Sequence, residues 1–115
     1  MRVVALVLIA GALAGTAAAS APPVGPLPKP AVTTVRTAKG SLVSVALPRR
    51  SGFDWRIARA LSAKVLREVS EGDVGATVVL VFRAVGRGHA SIWLAETKGE
   101  TAKAYRAVRY DVTVA

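Results

Sequence analysis

Residues 76–85 read "ATVVLVFRAV", a run of β-branched and aromatic side chains with the continuity of a buried β-strand. Gly86 and Gly88 follow at once and mark its end. Four other segments show β-branched or alternating apolar residues between turn residues. They are "AVTTVRT" (31–37), "SLVSVALP" (41–48), "ASIWLAE" (90–96) and "YRAVRYDVTV" (105–114). Short strands separated by turn signals predict an all-β sandwich.

One segment, "DWRIARALSAKVLREVSEG" at 54–72, fits two structures. Its composition favours a helix, which would make the domain α+β. The apolar residues that would share one helical stripe are Ile57, Leu61, Val65 and Val69. In the alternative, residues 55–60 form one strand and residues 64–69 form another. Local propensity favours the helix, but propensity is a weak criterion that the rest of the fold can override.

Residues 1–19 have the pattern of a secretory signal peptide. Arg2 precedes an apolar run over 3–13, and the three alanines at 17–19 fit a signal peptidase site. The alternative is a membrane anchor, but a bilayer span takes about 20 apolar residues. We therefore expect cleavage near Ala19, a secreted or periplasmic protein, and no membrane span in the mature chain.

Residues 20–30 include five prolines and predict an extended, Pro-rich linker. The folded domain is then expected over 31–115.

Within the 90–96 strand, alternation turns Trp93 away from the face that carries Ile92 and Leu94. Trp93 would then belong to an exposed binding surface or lie beneath the Pro-rich linker.

The chain has no cysteine and a single histidine, His89. Disulfide scaffolds, thiol sites and multi-histidine metal sites are therefore excluded. No serine lies in a nucleophile motif, and the seven acidic residues are scattered along the sequence. The sequence thus predicts a protein that is not an enzyme and needs no metal or cofactor.

The formal net charge is +9, and it falls to +8 when Arg2 leaves with the signal peptide. The basic residues are spread along the chain, which favours an ordinary solvated surface. An anionic envelope surface or an acidic protein is the alternative partner. We do not expect nucleic-acid binding by an exported protein.

The order of these features resembles the chagasin family, which consists of small secreted inhibitors of papain-like cysteine proteases. "SLVSVALP" resembles the strand that leads into the family's first inhibitory loop. "SGFDW" (51–55) is similar to the end of its Asn-Pro-Thr-Thr-Gly-(Tyr/Phe)-x-Trp motif, where Gly52, Phe53 and Trp55 match and Ser51 replaces the last Thr. The other similar segments are "LSAKVLREVSEG" (61–72), "VFRAVGRGHASIWLAE" (81–96), which resembles a strand-Gly-strand hairpin, and "RYDVTV" (109–114).

This resemblance implies an immunoglobulin-like β-sandwich of about seven strands, with residues 55–60 and 64–69 as strands. Loops near 48–55, 71–76 and 97–103 would lie at one end of a monomer and enter the cleft of a papain-like protease. The first loop would block the catalytic cysteine without being cut, above a supporting Trp55. The implied protease contacts are Arg49, Arg50, Ser51, Gly52, Phe53, Gly72, Gly75, Lys98 and Gly99.

The loops depart from the family more than the strands do. Pro48 stands where the family has Asn, and Arg49 and Arg50 replace its Pro and Thr. The third loop lacks the family's Arg-Pro-Trp and has Lys98 and Gly99 near that position. The alternative function is a non-inhibitory exported β-sandwich that binds an envelope or acidic partner.

Overall fold

The computed structural model describes residues 24–99 and 102–115, and the predicted signal peptide lies outside them. The described chain is all-β and contains no helix, so none that could cross a membrane. Its seven strands are β1 (Ala31–Thr37), β2 (Leu42–Pro48), β3 (Asp54–Ile57), β4 (Leu66–Val74), β5 (Thr77–Ala84), β6 (Gly88–Thr97) and β7 (Arg106–Val114).

The strands form two sheets that pack face to face as an immunoglobulin-like β-sandwich, as the sequence predicts. One sheet has the order β1-β7-β6-β3 and the other has the order β2-β5-β4. All pairs are antiparallel except β1 with β7, which is parallel. Alternate residues of each strand point into the core, and the most completely buried include Val45, Leu80, Phe82, Ile92 and Leu94.

The two ends of the sandwich carry different connections. The β2–β3, β4–β5 and β6–β7 connections lie at one end, which we call the loop end. The β1–β2, β3–β4 and β5–β6 connections lie at the opposite end. The three loops implied by the resemblance therefore share one end.

The local preference for a helix over 54–72 is wrong, because this segment supplies β3 and β4. Trp55 and Leu66 are buried between the sheets, whereas Val69, a member of the supposed helical stripe, is 48% exposed. The strands also differ in extent from those implied by the resemblance, since residues 58–65 connect them. β4 continues to Val74, which reduces the expected 71–76 loop to a two-residue turn.

The connection between β5 and β6 is not a hairpin, because these strands lie in different sheets. The chain crosses from one sheet to the other through Gly86, whose N–H donates to the Val65 carbonyl at 3.4 Å. A Cβ atom on Gly86 would lie 2.1 Å from the Lys64 carbonyl oxygen. Only glycine allows this close approach of two backbone segments.

The second half of the Pro-rich linker packs against the outer face of the four-stranded sheet. Val24 is 3% exposed, and its N–H donates to the Ala58 carbonyl at 3.2 Å. Arg59 Nη1 donates to the Val24 carbonyl at 2.6 Å. Val24 forms a small apolar cluster with Ala58, Ala95 and Ala104. Trp93 is half-buried and packs against this cluster, so it lies beneath the linker. The linker residues from Val24 onward therefore pack against the sandwich.

Removing these contacts should destabilise the sandwich. A chain that begins at Ala31 loses the burial of Val24 and uncovers Trp93, which we expect to lower the free energy of unfolding by about 2 kcal/mol. Thermal unfolding should then occur roughly 10 °C lower than in a chain that begins at Ser20. A chain that begins at Pro23 is the matched control and should unfold with the longer chain. Equal melting temperatures for all three chains would show that the linker contacts add no stability.

Candidate functional site

The β2–β3 connection, residues 49–53, is a tight turn at the loop end. The Phe53 N–H donates to the Arg50 carbonyl at 3.2 Å, and the Arg49 N–H donates to the Ala76 carbonyl at 2.8 Å. Gly52 has a φ of 83°, a left-handed conformation that favours glycine. The turn is thus fixed at its base and leaves Ser51 and Gly52 exposed at its tip.

Trp55 holds this turn from below. Its side chain is 6% exposed and belongs to the main core. Its Nε1 donates to the Pro48 carbonyl at 2.9 Å, which ties the start of the turn to the first residues of β3. Trp55 therefore fills the core and supports the loop at the same time.

The second anchor of the turn is Glu96, whose side chain is completely buried. Arg50 Nη2 donates to Glu96 Oε1 at 2.6 Å, and Arg106 Nε donates to the same oxygen at 3.0 Å. Burial alone would raise the pKa of Glu96. Hydrogen bonds and positive charge from the two arginines outweigh burial and hold that pKa below its ordinary value. The Glu96 carboxylate is therefore ionised. Through Arg50 and Arg106 it joins the first loop to β6 and β7, the strands on either side of the third loop.

Aromatic rings and cations cover this ion cluster. The rings of Phe53 and Tyr105 meet edge to face, with centroids 5.4 Å apart. The Arg50 guanidinium lies 3.9 Å from the centroid of the Phe53 ring, and the Lys98 ammonium lies 5.0 Å from it. These contacts fix the side chains of the first loop against the β6–β7 connection.

A groove of about 450 Å³ runs across the loop end. It joins residues of the first loop to Ala76 of the β4–β5 turn and to Lys98 and Gly99 after β6. The residues expected from the sequence that line it are Arg49, Arg50, Ser51, Gly52, Phe53, Lys98 and Gly99.

The two glycines expected in the second loop lie outside this lining. Gly72 is within β4, where it pairs with Val79, and Gly75 forms the β4–β5 turn with a φ of 60°. This hairpin instead contributes Asp73, which forms an ion pair with Arg49. Both arginines of the first loop therefore have carboxylate partners within the domain.

Sequence reasoning missed the residues that hold the turn, namely Asp73, Glu96, Tyr105 and Arg106. One signal was available, because alternation in β6 places Glu96 on the same face as Ile92 and Leu94. A carboxylate at a core position needs a positively charged partner. The identity of that partner depends on the fold, since Arg50 and Glu96 are 46 residues apart.

Nothing in the described residues forms a metal site, as no three His, Asp or Glu side chains cluster there. The arrangement offers a rigid, exposed turn and a groove beside it. It is suited to binding another macromolecule through backbone and aromatic contacts.

The fold and the loop end define an immunoglobulin-like sandwich with three adjoining loops. No family model matches this chain, and no curated protein matches it by sequence. Among solved structures, it is similar to the cysteine protease inhibitor EhICP2 from Entamoeba histolytica, with a TM-score of 0.59 and 15% sequence identity. The match covers 76% of this chain and 99% of that one. At this level of identity the similarity concerns the fold.

Proposed function

We propose that this protein is a secreted or periplasmic inhibitor of papain-like cysteine proteases, which inserts its loop end into the protease cleft. The observation that carries the proposal is the groove at the loop end, where residues from three connections meet beside an exposed turn. The similar fold of a cysteine protease inhibitor supports it. Cleavage near Ala19 would release the mature chain after export.

The internal contacts of the turn suit this role. Trp55 and Glu96 hold the turn in one conformation before any partner binds, so little conformational entropy is lost on association. Gly52 at the tip exposes backbone that can approach the catalytic cysteine closely. Such inhibition requires no catalytic group on the inhibitor.

The two arginines would contribute unequally to this contact. Arg50 is committed to Glu96, and its side chain is 48% exposed. The Arg49–Asp73 pair is exposed on both sides and is therefore weak. Arg49 can leave Asp73 at small cost and meet a carboxylate of the protease, whereas Arg50 mainly supports the turn.

Two glycine substitutions test the proposal. Gly52 and Gly40 both have positive φ, 83° and 94°, and an added Cβ would meet nothing within 4 Å at either position. Gly52→Ala and Gly40→Ala should therefore destabilise the fold alike, by about 1 kcal/mol. Gly52 lies at the loop end and Gly40 at the opposite end, so only Gly52→Ala should weaken inhibition, by roughly tenfold or more.

The measurement is titration of the chain from Ser20 against a panel of papain-like proteases. The parent protein and Gly40→Ala should inhibit at submicromolar concentration. Failure of the parent to inhibit any of them at micromolar concentration would refute the proposed function. Equal inhibition by the two variants would show that the turn at Gly52 is not the part that enters the cleft.

A further inference from the structure

The end of the sandwich opposite the loops gathers positive side chains that form no ion pair with an Asp or Glu among the described residues. Ala115 also lies at this end, where its carbonyl accepts from the Lys39 N–H at 3.3 Å. Five exposed cations lie there, and we call them the basic patch. They are Lys39, Lys64, Arg67, Arg83 and Arg87. The ion pairs among the described residues involve Arg49, Arg50, Arg106 and Arg109, and none involves the basic patch.

Backbone contacts bring the members of the basic patch together. Arg67 and Arg83 are direct cross-strand partners in β4 and β5, on the outer face of the three-stranded sheet. Arg83 Nη1 donates to the Gly40 carbonyl, beside Lys39, at 3.3 Å. Arg67 Nε donates to the Ala63 carbonyl, beside Lys64, at the same distance. Gly86 lies against the Lys64 backbone and brings Arg87 to this end.

The juxtaposed arginines do not help the fold. Like charges directly opposite each other on adjacent strands destabilise a sheet. Each guanidinium uses only part of its donors on a carbonyl, which leaves the rest for a ligand. An anion that bridges Arg67 and Arg83 would remove the repulsion and accept these free donors.

An apolar residue extends the row that the two arginines form. Leu42 is the β2 partner of Arg83, faces the same side and is 54% exposed. Cations next to an exposed aliphatic side chain suit the interface of an anionic membrane, where phosphates meet acyl chains. Single-stranded nucleic acid would require stacking rings. The basic patch contains none, since Phe53 and Tyr105 lie at the loop end.

We propose that the basic patch binds the anionic phospholipid headgroups of a membrane surface and leaves the loop end directed away from it. The two ends of the sandwich would then act independently. Membrane binding would concentrate the protein at the envelope without covering the groove. This assignment does not depend on the protease being the partner of the loop end.

Vesicle binding tests the assignment. The chain from Ser20, which keeps every described residue, should bind vesicles of phosphatidylcholine with about one-third phosphatidylglycerol at about 50 mM NaCl, and should not bind phosphatidylcholine alone. Arg67→Gln with Arg83→Gln should weaken binding roughly 30-fold, since each surface cation contributes about fivefold. The matched control, Lys98→Gln with Lys103→Gln, removes the same charge from the loop end and should bind within about threefold of the parent.

Leu42→Ser tests the apolar part without any change of charge. It should weaken vesicle binding several-fold at both about 50 and about 200 mM NaCl, because insertion of an aliphatic side chain is not screened by salt. The substitution lies on an exposed position, so circular dichroism should show an unchanged fold.

Three results would reject the membrane assignment. One is that the parent protein does not bind the anionic vesicles. Another is that the double variant at the basic patch and the double variant at the loop end lose vesicle binding equally. The third is binding to heparin or single-stranded DNA without binding to vesicles, which would assign the basic patch to a soluble polyanion. Protease inhibition should be unchanged in the Arg67→Gln, Arg83→Gln variant, so failure here is separable from failure of the proposed function.

Discussion

Replacing Arg50 and Arg106 together with methionine is expected to lower the free energy of unfolding by about 3 kcal/mol at neutral pH. The reason is that both substitutions leave Glu96, which is completely buried, without a positive partner. Each single substitution should cost much less, because the remaining arginine still pairs with the carboxylate. Urea unfolding of the parent, both single variants and the double variant measures this coupling.

The contribution of Glu96 to stability should depend on pH in opposite directions in the parent and in the double variant. In the parent, the pKa of Glu96 is lower in the folded than in the unfolded protein, so its contribution is present above the unfolded pKa and is lost as pH falls through the folded value. In the double variant only burial remains, which raises the folded pKa. That variant should therefore become more stable relative to the parent as pH falls from 7 toward about 4.

Two further substitutions control for side-chain loss. Glu96→Gln added to the double variant removes the buried charge and should restore part of the lost stability. Arg49→Met breaks an ion pair that is exposed on both sides and should change stability by less than about 1 kcal/mol. A double variant that is no less stable than Arg49→Met would show that the Glu96 cluster does not hold the loop end.

Replacing Trp55 with alanine is expected to lower the free energy of unfolding by about 4 kcal/mol. The substitution opens a cavity in the main core and removes the hydrogen bond from Nε1 to the Pro48 carbonyl. A domain of this size would then melt roughly 20 °C lower, as circular dichroism can measure.

Trp55→Phe separates packing from loop support. It keeps most of the ring volume but leaves the Pro48 carbonyl without its donor, which should cost about 1 kcal/mol. We expect this variant to remain folded and to inhibit a papain-like protease less well than the parent. Unchanged inhibition would mean that the hydrogen bond does not position the turn.

The strands could be predicted because their signal is local. Alternation places Val43, Val45 and Leu47 on the core face of β2 whatever lies opposite. In 54–72 the local signal is ambiguous, since the same residues favour a helix by propensity. The burial of Trp55 and Leu66 between two sheets decides the outcome, and that burial depends on partners far away in the sequence.

The turn at the loop end could be predicted because a motif of consecutive residues marks it. "SGFDW" marks the turn and its tryptophan, because they are neighbours in the chain. The ion cluster that anchors Arg50 needs side chains from β6 and β7. The basic patch likewise depends on the register that places Arg67 opposite Arg83. A spread of basic residues along the sequence thus concealed a concentration of charge on the surface.

The edge strand β4 has a consequence for self-association. A free edge can pair with a strand of another molecule and start aggregation. Here the register shifts between Glu68 and Ser70, which interrupts a regular edge. Glu68 and Glu71 pair with the buried Phe82 and Leu80, so both lie on the inner face of the sheet, where Glu68 is half-buried and Glu71 is exposed. Burial, then the charge of Glu71 and a hydrogen bond to it, raises the pKa of Glu68 to about 7. A strand added at this edge would bring its backbone close to both carboxyl groups, so we expect β4 to resist edge-to-edge pairing.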